Sequence, residues 1–333
     1  IRDSPQGLDL RPGDVAFRCN FATVDESGVV VDRRAGRIST EHASVLAQAL
    51  REALEEADIG AEVFFVNTVQ HRAVLVLRGE GLSRAVSGTD PKENGRPLKP
   101  CVPLEDSPEA RRTAELVNKI SELARRVLSE HPLNRELPKP ANAILIRGAG
   151  VLPELKPLGE LYGIRGACIS AVALIKGVCR AAGLDVIEVP GATGSYDTDL
   201  DAKFSHALSA LEGPYDLVFM HVKATDVASH DHDAGRKVWF LEEFDKALGR
   251  ALGRLDLEET YVLLTADHTT SVRTGKHEGD PVPVVLAGPE VRIDDVRRFD
   301  EVSCSRGSLC RLRAIDLMPI VMNLLGRVER FGF

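Results

Sequence analysis

The sequence predicts an α/β protein in two parts, an α+β block followed by a mostly parallel sheet with helices on both faces. Three observations predict it. From residue 143 onward, short apolar runs alternate with amphipathic stretches, the rhythm of strand–helix–strand units whose sheet is buried on both faces. Before residue 131, strand-like runs follow one another closely and the helices stand apart from them, which is an α+β pattern. Between the two lies HPLNRELPKPAN, a linker by its prolines at 132, 138 and 140.

In chain order, DVAFRCNFATV and GVVVDR read as strands, and a helix is expected from about Thr40 to Ala57. The runs AEVFFVNTV and HRAVLVLRG form a second strand pair, rich in β-branched and aromatic residues. The stretch 82–108 is rich in Gly, Pro and charge, so it is expected to be a surface excursion, serving either as a lid or as a contact between copies. A helix follows from about Pro108 to Glu130. The second part then reads AILIRG, a helix around 166–182, DVIEVPG, a helix near 201–211, YDLVFMHV, a helix near 236–252, YVLLTA, PVPVVLAG and a last helix around 314–325.

Composition sets the broad class. With 333 residues and 44% hydrophobic content the chain can bury a large core. A net charge of -8 without any basic run argues against nucleic acid as a partner. No run approaches the ~18 apolar residues of a membrane span, and IRDSPQGLDL lacks the apolar stretch of a signal peptide. A cytoplasmic protein is expected, with homo-oligomerisation left open. The cysteines at 19, 101, 168, 179, 304 and 310 show no CxxC spacing, so neither a zinc knuckle nor a disulfide framework is expected.

The chemistry concentrates between Tyr215 and Gly288, where three signals each sit beside an apolar run. Asp226 and His230 follow YDLVFMHV, Asp267 and His268 follow YVLLTA, and His277 precedes PVPVVLAG. Carboxylates mixed with imidazoles suit Zn2+ or Mn2+, whereas Ca2+ or Mg2+ favours oxygen ligands alone. Asp226 and His230 are four apart, so one helical turn places them on one face. Asp267 and His268 are adjacent and diverge from a strand end, so a second metal or a bridging geometry is the natural reading. A loop containing Gly275 and Gly279 leaves His277 free to return to the first ion. Asp231, His232 and Asp233 thicken the cluster from behind or from solvent. Two runs of this kind at strand ends are where open α/β sheets place their sites, so a two-metal hydrolase or transferase is expected.

A second signal is arginine in apolar or small-residue contexts: Arg18 in AFRCNFAT, Arg33, Arg34 and Arg37 in VDRRAGR, Arg72 after His71, and Arg147 in ILIRGAG. Guanidinium forks match phosphate and carboxylate oxygens, so a small doubly anionic substrate is expected, with Asn20 beside Arg18 joining its site and Lys176 in ALIKGVC and Lys223 in HVKATD similarly embedded. Surface ion pairing is the plainer alternative for any one of them. The glycine-rich GATGSYDT, 191–198, could lay N–H groups against a phosphate but does not match a P-loop.

Taken together, GLDLRPGDVAFRCNFATVD, GVVVDRRAGRI, TDPKENG, ANAILIRGAG, LIKGVCRAAGLDVIEVPGATGSYDT, HVKATDVASHD, ADHTT and KHEGDPVPVVLAG resemble the archaeal-type cofactor-independent phosphoglycerate mutases of the alkaline phosphatase superfamily. The likeness spans nearly the whole chain. It implies an alkaline-phosphatase-like core, 1–13 with 134–333, into which a substrate-binding α+β domain, 14–133, is inserted. It further implies that Asp226, His230 and His277 hold one divalent ion, and that Asp267 and His268 hold the other with a strand-end aspartate and a nucleophilic serine. That serine is phosphorylated and returns the phosphoryl group to the other hydroxyl of glycerate, interconverting 3- and 2-phosphoglycerate without 2,3-bisphosphoglycerate. The arginines would hold the substrate while it reorients. Mn2+ and Zn2+ are the expected ions, with Co2+ and Mg2+ open.

The chain departs from the family at its start. Family members run through a strand ending in Asp-Gly and several dozen residues that include the nucleophile before the equivalent of GLDL, which this chain reaches at Gly7. Asp3 and Ser4 are the candidates by position for the missing ligand and nucleophile, although their adjacency suits neither role. The simplest expectation is that the full protein carries that stretch. Two other readings stay in view: a related phosphomonoesterase, with water as acceptor, and a non-catalytic phosphoglycerate-binding paralogue.

Overall fold

A computed structural model describes residues 10–152 and 155–328. The chain forms two compact units, Ile1–Glu154 and Leu155–Phe333.

The first unit is built on an antiparallel sheet whose strands are β1 (Val15–Val24), β2 (Val29–Asp32), β3 (Glu62–Asn67), β4 (Arg72–Arg78), β5 (Arg96–Pro97) and β6 (Ala143–Val151). β1 is central, pairing β4 on one side and β6 on the other, with β2 against its end. Its alternation decides the layers: Phe17, Cys19 and Phe21 enter the core, and Arg18 and Asn20 point to the opposite face. Helices α1 (Thr40–Glu56) and α2 (Pro108–Glu130) cover the core face with Leu46, Leu50, Ile120 and Leu128. Both begin as their sequences dictate. The Ser39 and Ser107 side chains cap the N–H groups of His42 and Ala110, and Pro108 takes the first turn of α2, where no N–H is needed.

Strand β6 was grouped by sequence with the second half of the chain. It instead pairs with β1 from Ala22↔Ala143 to Val15↔Val151, so it belongs to the first unit's sheet. A continuous apolar run such as AILI shows that a strand is buried, not which sheet buries it. The excursion 82–108 is not loose either. Val86 and Pro103 form a bridge, β5 pairs with β2, and Asn118 accepts from the Cys101 N–H at 2.8 Å and donates to its carbonyl at 2.9 Å.

The second unit is mixed α/β. After α3 (Leu158–Tyr162), β7 (Gly166–Ile169), α4 (Ala173–Ala181), β8 (Asp185–Val186), α5 (Leu200–Glu212) and β9 (Leu217–Met220) form a three-stranded parallel sheet in the order β8-β7-β9. The expected helix 166–182 thus splits. Its first residues, GACI, are all buried and form the central parallel strand, a length at which periodicity cannot separate strand from helix. Then come α6 (Ala224–His230), α7 (Ala234–Leu252), β10 (Val262–Thr265), β11 (Thr269–Ser271), β12 (Lys276–Glu278), β13 (Val284–Ala287), α8 (Glu301–Cys304) and α9 (Ala314–Leu324). PVPVVLAG was read as one more parallel strand. β13 in fact runs antiparallel to β10, and the connection between them carries the β11–β12 hairpin in place of the helix that usually crosses between parallel neighbours. Among the described residues of this unit, three strands are parallel and four form antiparallel pairs.

Candidate active site

α6 carries Asp226 and His230 on one face, as their spacing of four requires, with His230 Nε2 3.3 Å from Asp226 Oδ1. The β11–β12 hairpin brings in the other imidazoles. Its register opposes Thr270 and His277, and His268 lies two residues before Thr270 on the same face. The rings of His268 and His277 therefore stack at 3.8 Å, and His277 Nε2 stands 3.5 Å from Asp226 Oδ1. Asp226, His268 and His277 offer ligand atoms all within 4.8 Å of one another. Spacing alone had separated His268 from the other two. The hairpin register, invisible to spacing, joins them. Asp267 lies beside this set, its Oδ2 3.4 Å from His268 Nε2.

The surroundings orient these groups. His230 Nδ1 faces the Gly275 carbonyl at 2.8 Å, which leaves Nε2 for the site, as metal-ligating histidines are commonly held. Thr270 Oγ1 donates to Asp226 Oδ1 at 2.7 Å and lies 3.2 Å from His268 Nδ1, tying the helix to the hairpin. Burial alone would raise the pKa of Asp226, whose side chain is 15% exposed. Hydrogen bonds from Lys223 and Thr270, with the charges of Lys223 and His230, outweigh this and hold it at about 2. A carboxylate kept ionised among imidazoles is a suitable donor set for a divalent borderline cation.

Sequence reasoning missed three groups here. Thr270 lies in ADHTT as an ordinary strand residue. His221 follows β9; burial, with the charges of Lys203 and Lys223 and against those of Asp267 and Asp226, pushes its imidazole below the ordinary range, and Ser170 Oγ sits 3.4 Å from its Nδ1. Lys203, almost fully buried, donates to the His221 carbonyl at 2.8 Å. A lysine on an apolar helix face was the one available signal. In 191–198, Thr193 N–H donates to Thr198 Oγ1 and Ser195 N–H to Thr193 Oγ1, so those two amides are turned inward rather than toward a phosphate. Lys176 is ion-paired with Glu188 at 2.7 Å, which answers to its plainer alternative. Asp3 and Ser4 lie outside the described residues.

The arginines gather in the first unit. Arg18 opposes Arg147 across β1 and β6, and Asn20 opposes Arg72 across β1 and β4. Between Ala16↔Gly150 and Arg18↔Arg147 the β6 strand carries one extra residue, a bulge at Gly148, whose φ of 65° glycine adopts without strain. Arg33 enters from the end of β2, its carbonyl accepting from Asn20 Nδ2 at 3.3 Å. A second group surrounds His71, which is 6% exposed and whose Nδ1 finds no partner among the described residues. Burial, then the charges of Arg72, Arg34 and Arg37, push this imidazole down to about 4, so it is neutral at pH 7. Asp90 is the counter-charge to Arg33 and Arg147, while Asp32 is ion-paired with Lys139 at 2.6 Å.

Fold and site together define a class: a mixed α/β protein whose second unit carries a carboxylate–imidazole donor set and whose first unit carries a cluster of arginines. The model of the 2,3-bisphosphoglycerate-independent phosphoglycerate mutase family matches residues 5–134. A protein of Methanothermobacter thermautotrophicus that bears the same family name is 44% identical over 98% of this chain and 80% of its own length. One from Methanopyrus kandleri is 47% identical over 98% of this chain and 78% of its own. Among solved structures, a Pyrococcus horikoshii protein superposes with a TM-score of 0.82 at 35% identity, covering 98% of this chain and 77% of that one. The cofactor-independent phosphoglycerate mutase of Thermoplasma acidophilum gives 0.69 at 33% identity, covering 95% and 78%. The chain belongs to the 2,3-bisphosphoglycerate-independent phosphoglycerate mutase family, and the resemblance drawn from its motifs holds.

Proposed function

We propose that the protein interconverts 3-phosphoglycerate and 2-phosphoglycerate, in glycolysis and gluconeogenesis, without 2,3-bisphosphoglycerate. The observation that carries the reading is the convergence of Asp226, His268 and His277 within 4.8 Å in a chain of this family. In this reading Asp226, His230 and His277 hold one divalent ion and Asp267 and His268 another, with Mn2+ or Zn2+ favoured by the mixed donors. Their adjacency supports a paired site, since two-metal centres place their ions only about 4 Å apart. When bound, such ions stabilise the attacking and leaving oxygens of an in-line phosphoryl transfer.

The chain's own residues supply the rest. Thr270 and Lys223 keep Asp226 ionised and aimed, and the Gly275 carbonyl fixes the His230 ring. Arg18, Arg33, Arg34, Arg37, Arg72 and Arg147 hold the phosphate and carboxylate of the substrate, with Asn20 and neutral His71 completing its hydrogen bonds. The phosphoryl group passes through a serine, and the second unit is the alkaline-phosphatase-like core while the first is the substrate-binding insert. Six unpaired cysteines support a cytoplasmic setting.

A coupled mutase assay tests this directly. Chelator and Asp226→Ala should each lower kcat at least about 1000-fold, as expected when a group acting on the transition state is removed. Full activity surviving both refutes the metal reading. Phosphate release without isomerisation would mean that water is the acceptor and the protein is a phosphomonoesterase.

A further inference from the structure

We propose that Asp90, a buried carboxylate inside the arginine cluster, is the positioning residue that aims Arg33 and Arg147 at the substrate anion, and that the excursion 82–108 exists to deliver it. The proposal rests on the reading that these arginines bind phosphoglycerate.

A carboxylate is an odd occupant of an anion site, and its geometry explains it. The Asp90 side chain is 1% exposed. It takes Arg33 in a two-pronged contact, Nε to Oδ1 at 2.9 Å and Nη2 to Oδ2 at 2.6 Å, and Arg147 Nε lies 3.2 Å from the same Oδ2. One acid thus takes an edge of the Arg33 fork in hydrogen bonds and is the ion-pair partner of Arg147, whose buried Nε makes no hydrogen bond among the described residues, so N–H groups of both guanidinium groups are left for a ligand. Without it, Arg18, Arg33 and Arg147 would face one another as like charges across neighbouring strands. With it, the three positive charges and the one negative charge leave a surplus of two, that of a phosphate monoester dianion.

The excursion secures the acid. Thr89 N–H donates to the Ile146 carbonyl at 2.7 Å and Thr89 Oγ1 accepts from the Ile146 N–H at 2.9 Å, so Asp90 is clamped to the strand that carries Arg147. The Lys92 N–H donates to Asp90 Oδ1 at 2.8 Å, and Asn94 Oδ1 accepts from the Arg33 N–H at 3.1 Å. Arg33 is therefore held from both its backbone and its fork by one segment. Of the two roles open to this stretch from sequence, a lid or a contact between copies, neither needs such attachment; a fixed strut does.

The test measures the dissociation constant of 3-phosphoglycerate by titration calorimetry on the full chain, with kcat alongside. Asp90→Asn keeps the shape and removes the charge; it should weaken binding about 10-fold and change kcat less than about 3-fold, the pattern of lost uniform binding. Arg33→Lys keeps a charge beside Asp90 but has no fork, and it should weaken binding to a similar extent. The double variant should bind no worse than the weaker single one, because the two residues act as one unit. Binding within twofold of wild type in Asp90→Asn, or strictly additive losses in the double variant, overturns the proposal. So does wild-type binding by Arg33→Lys, which decides the matter even if Asp90→Asn does not fold. Unchanged binding in Arg33→Ala and Arg147→Ala would instead sink the underlying reading, a result distinct from all of these.

Discussion

Gly88 offers the sharpest test of how the arginine cluster is held. A Cβ placed there would sit 2.6 Å from the Ile146 carbonyl oxygen, 2.9 Å from Arg147 Cα and 3.0 Å from Arg147 Cβ. Its φ lies outside the left-handed region, so the requirement is for space and not for an unusual backbone. Gly88→Ala must push β6 away from the excursion by roughly half an ångström, since packed backbone has no slack to absorb it. Overpacking costs about 1–3 kcal/mol. Loosening the two Thr89–Ile146 hydrogen bonds adds up to about 2 kcal/mol, and the stiffer unfolded chain returns about 0.4–1 kcal/mol. The net expectation is a destabilisation of about 2 kcal/mol. In urea unfolding this appears as a lower midpoint at unchanged slope, and calorimetry should show weaker 3-phosphoglycerate binding because Arg147 moves with its strand. Stability within about 0.5 kcal/mol of wild type, with unchanged binding, would refute the idea that this contact fixes Arg147.

Thr270→Val removes the hydroxyl that ties Asp226 to His268 while keeping the side chain's volume, and it should weaken Mn2+ or Zn2+ binding about 10–100-fold in a metal titration; an unchanged affinity would mean the threonine orients nothing. His71 should make the protein acid-sensitive. Its pKa of about 4 when folded lies below the ordinary 6.5, so the unfolded chain takes up the proton first, and stability should fall as pH drops from about 6.5 toward 4 by up to roughly 3 kcal/mol. His71→Asn should flatten that part of the stability–pH curve, and a slope identical to wild type there would exclude His71 as its source. Asp14 acts at lower pH. Burial raises its pKa, but the bonds from Arg78 at 2.8 Å and the Arg11 N–H hold it below the usual carboxylate range, so its stabilisation is complete above the unfolded pKa and is lost as pH falls through the lower folded value. In Asp14→Asn the further loss of stability that begins below about pH 4 should disappear, and a urea-unfolding midpoint that falls there as steeply as in the wild type would exclude Asp14 as its source.

Much of the site was legible in the sequence because its chemistry is written in residue types. Carboxylate and imidazole beside apolar runs point to a cation, and the spacing of Asp226 and His230 fixes their shared face once α6 forms. Arg18 and Asn20, alternating with core residues along β1, point to one polar sheet face, which the strand period determines locally. The expectations that fell short concern choices between partners. AILI is equally apolar in either sheet, GACI is too short for its period to declare a strand, and PVPVVLAG carries no mark of its direction.

What the sequence determined by itself was therefore local: helix caps at Ser39 and Ser107, the strand alternation of β1, the donor types at 226, 230, 267, 268 and 277, and membership of a family through motifs spread along nearly all of the chain. What only the tertiary structure decided was which of these meet. The hairpin register set His268 against His277 and Asp226, the bulge at Gly148 turned Arg147 toward Arg18, and a polar excursion with no periodicity proved to carry the buried Asp90. Each joins residues from different strands, helices or loops, and its free energy arises only when the fold brings the partners together, so local propensity along the chain does not contain it.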